Sequence, residues 1–229
     1  MFDNVKRQIQ TRLSIAREQC DQMNTIFAYI RLILPSFPGF DDDHQNRRLR
    51  AMVNVANLIG PIPDSIFFDE PKVIQAASEE IALRRLPRLL CIALVSVVET
   101  ALKDFSIIVL RDQHADWRPH QVRKRLNKLF YGGPEDYLPK LASEFQFAYF
   151  LDEDWDDIRE LTATRNILVH KSDLIAHDRY VRQAGAKARA KLGEALEVDD
   201  AYFTASWCHS SACISNMLSL IAGCGSKVF

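Results

Sequence analysis

Glycine supplies only eight of the 229 residues. There is no glycine-rich phosphate loop, no G-x-S-x-G elbow and no protein-kinase signature, so the common routes to nucleotide binding and serine hydrolysis find no support. Cysteine is sparse and odd in number. Cys20, Cys91, Cys208, Cys213 and Cys224 form no C-x-x-C pair, a usage that suits a reducing cytosol. His44, His114 and His177 lie near aspartates without paired ligand spacing, so no metal and no cofactor are expected. A surplus of either charge is missing too. The formal net charge of -1 argues against bulk electrostatic attachment to nucleic acid and leaves only local patches for that purpose. No repeat or low-complexity tract appears. Asp3, Lys6, Arg7 and Arg12 interrupt any apolar leader at the start, and a cytoplasmic protein is expected.

What is present is helical patterning. Hydrophobic residues make up 48% and charged ones 26%, ordinary for a globular chain long enough to bury a core. Val5, Ile9, Leu13, Ala16, Cys20, Met23, Phe27, Ile30 and Leu34 step by threes and fours, which predicts one long amphipathic helix, either a core helix or a dimer arm. Prolines and aspartates at 35–43 stop it, a shorter helix is expected over 46–59, and a second loop follows at 60–63. From Lys72 the pattern is helical for nearly forty residues, kinked or restarted at Pro87. Residues 92–110 are apolar enough to raise the question of a membrane span, but Glu99, Lys103 and Asp104 argue for a buried bundle helix instead. A turn at Tyr131–Asp136 precedes an amphipathic helix expected from Glu135 to Tyr149. The last helix, capped by Asp199 or Asp200, turns Phe203, Trp207, Ile214, Met217, Leu218 and Ile221 inward. Cys208-His209 on it reads as packing with a polar edge.

The most informative stretch runs from Trp155 to His177. Asp152-Glu153-Asp154 opens a helix with Asp154 as the expected N-cap, and Trp155, Ile158, Leu161 and Leu168 recur at helical spacing. Arg165-Asn166-Ile-Leu-Val-His170 follows near its end. Arg165 and His170 lie about 140° and about 7.5 Å apart on an ideal helix, whereas Asn166 and His170 share a face. The long arginine stem allows all three polar groups to meet at one rim. Glu99 is the second notable residue: among Val95, Val98 and Leu102 its carboxylate either pairs locally with Lys103 or orients Arg165 or His170. Basic residues gather twice, first at Arg118, Arg123, Lys124, Arg125 and Lys128 between Trp117 and Phe130. The second group is Arg179, Arg182, Lys187, Arg189 and Lys191. A solvated helix face explains such runs more often than nucleic acid does, yet they offer phosphate contacts.

The R-N-x-x-x-H pattern on an amphipathic helix of an all-α chain resembles the HEPN superfamily. The segment Val95–Phe105 is similar to the family's earlier helix, and Lys191–Val198 with the helix after it to the segment that follows the histidine. The likeness spans roughly residues 90–222. It implies a HEPN-like antiparallel helical bundle over 71–229, with residues 1–70 as an N-terminal helical extension packed on or arming it. It further implies a homodimer and a metal-independent endoribonuclease in which Arg165 and His170 are catalytic and Asn166 and Glu99 orient them. Arg123, Lys124 and Lys171 are then the candidate RNA contacts. An antitoxin or other inhibitor protein is an expected partner, in a toxin–antitoxin or antiviral role, and no membrane is involved. The chemistry is consistent: RNA carries its own 2′-hydroxyl nucleophile, a histidine moves protons and a guanidinium steadies charge on phosphorus. One histidine cannot serve both oxygens at once, and a second copy across a two-fold would supply the other. Two readings compete. In one, the bundle is a non-catalytic dimerisation or regulatory module whose Arg165 and His170 merely complement a helix C-terminus. In the other, the chain is modified by a nucleotidyltransferase partner, but that class carries a tyrosine where Ser172 stands.

Overall fold

The computed structural model describes residues 2–33, 85–170 and 174–223. The loops expected at 35–43 and 60–63, the helix at 46–59, the start of the helix from Lys72, the boundary near residue 70, Lys171 and Ser172 lie outside them. Within the described residues the chain is all-helical: α1 (Phe2–Ile33), α2 (Leu86–Gln113), α3 (Pro119–Leu129), α4 (Pro134–Phe145), α5 (Glu153–His170), α6 (Asp178–Ala184) and α7 (Asp200–Gly223). No helix among these residues is long and apolar enough to cross a membrane.

The apolar stripe of α1 does what its spacing predicts. Ile9, Leu13, Ala16, Cys20 and Phe27 are buried where α1 runs along α2 and α7, and the Phe27 ring meets Phe203 edge-on at 4.8 Å. Burial, with Asp21 adding, pushes the Cys20 thiol up to about 12, which leaves it an inert packing group. In α2, Pro87 occupies the first turn, where its missing N–H costs little, and Leu94, Val95, Val98, Leu102 and Phe105 enter the core. Asp199 caps α7 by accepting from Tyr202 N at 2.8 Å. Phe203, Ile214, Met217 and Ile221 face inward as expected, and Trp207 and Leu218 are only half-buried.

Three local expectations need correcting. The helix expected to reach Tyr149 ends at Phe145, because Gln146 turns into the left-handed region at φ 57° and a short 3-10 turn follows at Ala148–Leu151. That turn carries Phe150 into an aromatic cluster with Phe105, Phe145 and Trp155. Asp154 is not the N-cap of α5, which starts one residue earlier; its carboxylate accepts from His209 Nδ1 at 3.0 Å instead. Leu168 is half-buried, whereas Trp155, Ile158 and Leu161 are in the core.

A charged residue lies at the centre of the α5–α6–α7 junction. Glu160 is 2% exposed. Its Oε1 accepts from Thr164 Oγ1 and Tyr180 OH and its Oε2 from Tyr202 OH, each at 2.8 Å, with Arg189 Nε 3.7 Å away. The Arg189 guanidinium lies over the Tyr202 ring at 4.4 Å. Between α6 and α7 the chain doubles back, with Ala176 N donating to Glu194 O and Gly193 N to Ala176 O, both at 2.8 Å. Gly193 has φ +81°, a backbone conformation few side chains tolerate.

Two outcomes follow. Trp155→Ala and Leu161→Ala should each cost about 2–5 kcal/mol in urea denaturation, and Leu168→Ala less. Burial pushes the Glu160 carboxyl above its usual value, against the hydroxyls of Tyr202, Tyr180 and Thr164 and against Arg189, which lower it. A group raised in the folded state contributes fully below its unfolded value and loses that contribution as pH rises through the folded one. The stability of wild type minus that of Glu160→Gln should therefore fall as pH rises out of the ordinary glutamate range and through the raised folded value. A difference that widens with pH would contradict this.

Candidate functional site

The last turns of α5 present Arg165, Asn166 and His170, and α2 lies alongside. Arg165 reaches across to α2, where its Nη2 donates to Glu99 Oε1 at 2.8 Å. The two side chains are 23% and 29% exposed, so the pair is partly withdrawn from water. Lys103, the local alternative for Glu99, leans over the Phe130 ring at 5.9 Å instead. Arg165 Nε is buried without a hydrogen-bond partner. One of the guanidinium's five donors is thus spent on Glu99, and that contact fixes its plane.

Arg165 and Asn166 line a cavity of about 780 Å³ with Glu99, the turn before α4 and three residues of α6. Gly132 lets that turn close, since its φ of +105° and the Asp136 carboxylate against it leave no room for a side chain. Asp136 Oδ2 accepts from Gly133 N at 3.3 Å, and Glu135 Oε1 accepts from Gln183 Nε2 at 2.9 Å, which ties α4 to α6. Tyr137 closes the floor, its phenol pushed up by burial and by Glu99, with Arg165 opposing. Tyr131 stands at the edge, 80% exposed.

His170 opens instead onto a second cavity of about 420 Å³, lined with Asn166, His177 and Arg179. It is exposed and makes no side-chain hydrogen bond among the described residues. The three motif side chains are therefore divided between two spaces, and Asn166 and Arg179 line both. His177 Nδ1 accepts from Tyr180 N at 3.1 Å and so caps α6.

The basic runs fare differently. Arg125 pairs with Glu144, whereas Arg123 and Lys124 stand exposed on α3 and line neither cavity. Of the second run, Lys187 is held by Asp157 at 3.1 Å and Arg182 by Asp178 at 3.1 Å. Arg179 makes no hydrogen bond or ion pair among the described residues. Neither it nor His177 stands out from residue spacing beyond membership of a basic run and nearness to an aspartate. No group of residues suited to hold a metal ion occurs among the described residues.

A double-mutant cycle on Glu99→Ala and Arg165→Ala, read by urea denaturation, should give a coupling of roughly 0.5–3 kcal/mol. A coupling of zero would mean that the pair does not orient the arginine in solution. No family model matches this chain, nor does any curated protein or solved structure.

Proposed function

We propose that the chain is a metal-independent endoribonuclease of HEPN type. The observation that carries this is the Arg165–Glu99 contact at 2.8 Å. It aims a permanently charged guanidinium along the wall of a cavity, five residues along the helix from a solvent-accessible histidine. In the reaction the RNA 2′-hydroxyl attacks the adjacent phosphorus and the bond to the 5′-oxygen breaks. The products are a 2′,3′-cyclic phosphate and a free 5′-hydroxyl. Arg165 holds the phosphoryl oxygens as negative charge builds on them, His170 moves a proton at one of the two reacting oxygens, and Asn166 and Glu99 keep the set in place. A homodimer whose two-fold brings both copies of His170 to one cleft completes the proton inventory. The toxin–antitoxin or antiviral setting, with an antitoxin as inhibitor, rests on the HEPN resemblance. The bundle itself is read as HEPN-like on the same ground.

The second reading, a non-catalytic helical regulatory module, takes its support from His170, which no described neighbour orients. Cleavage assays separate the two. Activity on tRNA or messenger RNA at low salt should survive EDTA and leave the cyclic-phosphate product. Deoxyribose at the scissile position should abolish it. His170→Ala and Arg165→Ala should each lower the single-turnover rate by about two to four powers of ten. Equal rates for wild type and His170→Ala would favour the regulatory module. Light scattering at micromolar concentration should report a dimer, and a stable monomer would count against the two-fold site.

A further inference from the structure

The motif helix supplies only one wall of the site. The opposite wall comes from His177 and Arg179 at the start of α6, and Arg179 lies where the two cavities meet. We propose that this junction is the phosphate position of a single-stranded RNA site, with Arg179 gripping the phosphodiester and one nucleotide in each cavity. The inference rests on the ribonuclease reading for the choice of ligand but assigns residues that the motif does not contain.

Three observations converge. Arg179 is exposed, and its donors are uncommitted among the described residues, unlike Arg125, Arg165, Arg182 and Lys187, which all face carboxylates. A guanidinium with all its donors available matches two phosphoryl oxygens. His177 is held as one tautomer: because Nδ1 accepts the Tyr180 amide at 3.1 Å, the ring proton sits on Nε2, an N–H donor on a ring that lines the smaller cavity. At the rim of the larger cavity Tyr131 offers an exposed aromatic face. Aromatic, cation and N–H donor thus follow one another along the groove. A single strand presents the same alternation of base and phosphate, and its unstacked bases are free to lie on a ring. Duplex RNA has its bases stacked within the helix and gains nothing from Tyr131. An acidic peptide would set a carboxylate in the larger cavity against Glu99, Glu135 and Asp136, whereas a nucleotide can place its uncharged base there and keep its phosphate on Arg179.

The test uses a fully 2′-O-methylated pentanucleotide, which keeps the phosphates and bases but lacks the nucleophile, titrated at low salt into the full chain. Arg179→Ala should weaken binding about tenfold to a hundredfold, and Arg179→Lys should restore part of the loss. The salt dependence of binding should drop by about one phosphate contact in Arg179→Ala. His177→Asn keeps a good N-cap but removes the Nε2–H, so it should weaken binding with the helix intact by circular dichroism. Tyr131→Ala should weaken binding and Tyr131→Phe should not. Unchanged affinity and salt slope in Arg179→Ala would overturn the proposal. So would a loss in Arg123→Ala as large as that in Arg179→Ala, since the strand would then lie on α3. Failure of the ribonuclease reading looks different: wild type binds the probe through Arg179 but cleaves no unmodified RNA.

Discussion

The junction that holds the candidate site together is a carboxylate out of water. Burying Glu160 carries a desolvation penalty of several kcal/mol, which only well-made hydrogen bonds offset. Three hydroxyls supply them from α5, α6 and α7, and Arg189 adds its charge at 3.7 Å. The Tyr180 hydroxyl also accepts from Arg189 N at 3.0 Å, so the same cluster fastens the chain after α6. A helix of seven residues has little stability of its own. Its seat on α5 depends on Tyr180, and with it the placement of His177 and Arg179 opposite the motif.

The site joins one rigid pairing to one open end. Glu99 spends part of the Arg165 charge to set its direction, which lowers the field at the cavity but would spare the guanidinium from reorganising around an anion, were one to bind. His170 stands at the helix end without such support. The asymmetry leaves the arginine with a fixed direction and the histidine without a described neighbour to orient it.

The helices were legible where burial follows a period. Ile9, Leu13, Ala16, Cys20 and Phe27 lie on one face, and the same face is buried. The pairing of Glu99 with Arg165 was open to sequence reasoning because a carboxylate among valines needs a partner, although spacing alone offered Lys103 equally. Glu160 was invisible: a glutamate in an acidic helical stretch reads as a solvated charge, and its three hydroxyl donors lie on separate elements. The break at Gln146 was likewise hidden, since glutamine carries no signal for a left-handed turn. Arg123 and Lys124 form a basic cluster legible from composition alone, and they stand exposed on α3 and line neither cavity. The cavities instead draw Arg179 from a run whose other members are mostly tied to acids.

The edge-on meeting of Phe27 with Phe203 joins the first described helix to the last. Because α1 lies against both α2 and α7, its apolar stripe has no complete partner surface until α7 has been synthesised. Closing so long a loop is an entropic cost that must be met before the contact stabilises anything. A nascent chain that stops short of α7 therefore carries an uncovered row of Leu13, Cys20 and Phe27 into the cell, where chaperones and proteases recognise such rows. Covering that seam therefore waits for α7, the last helix among the described residues.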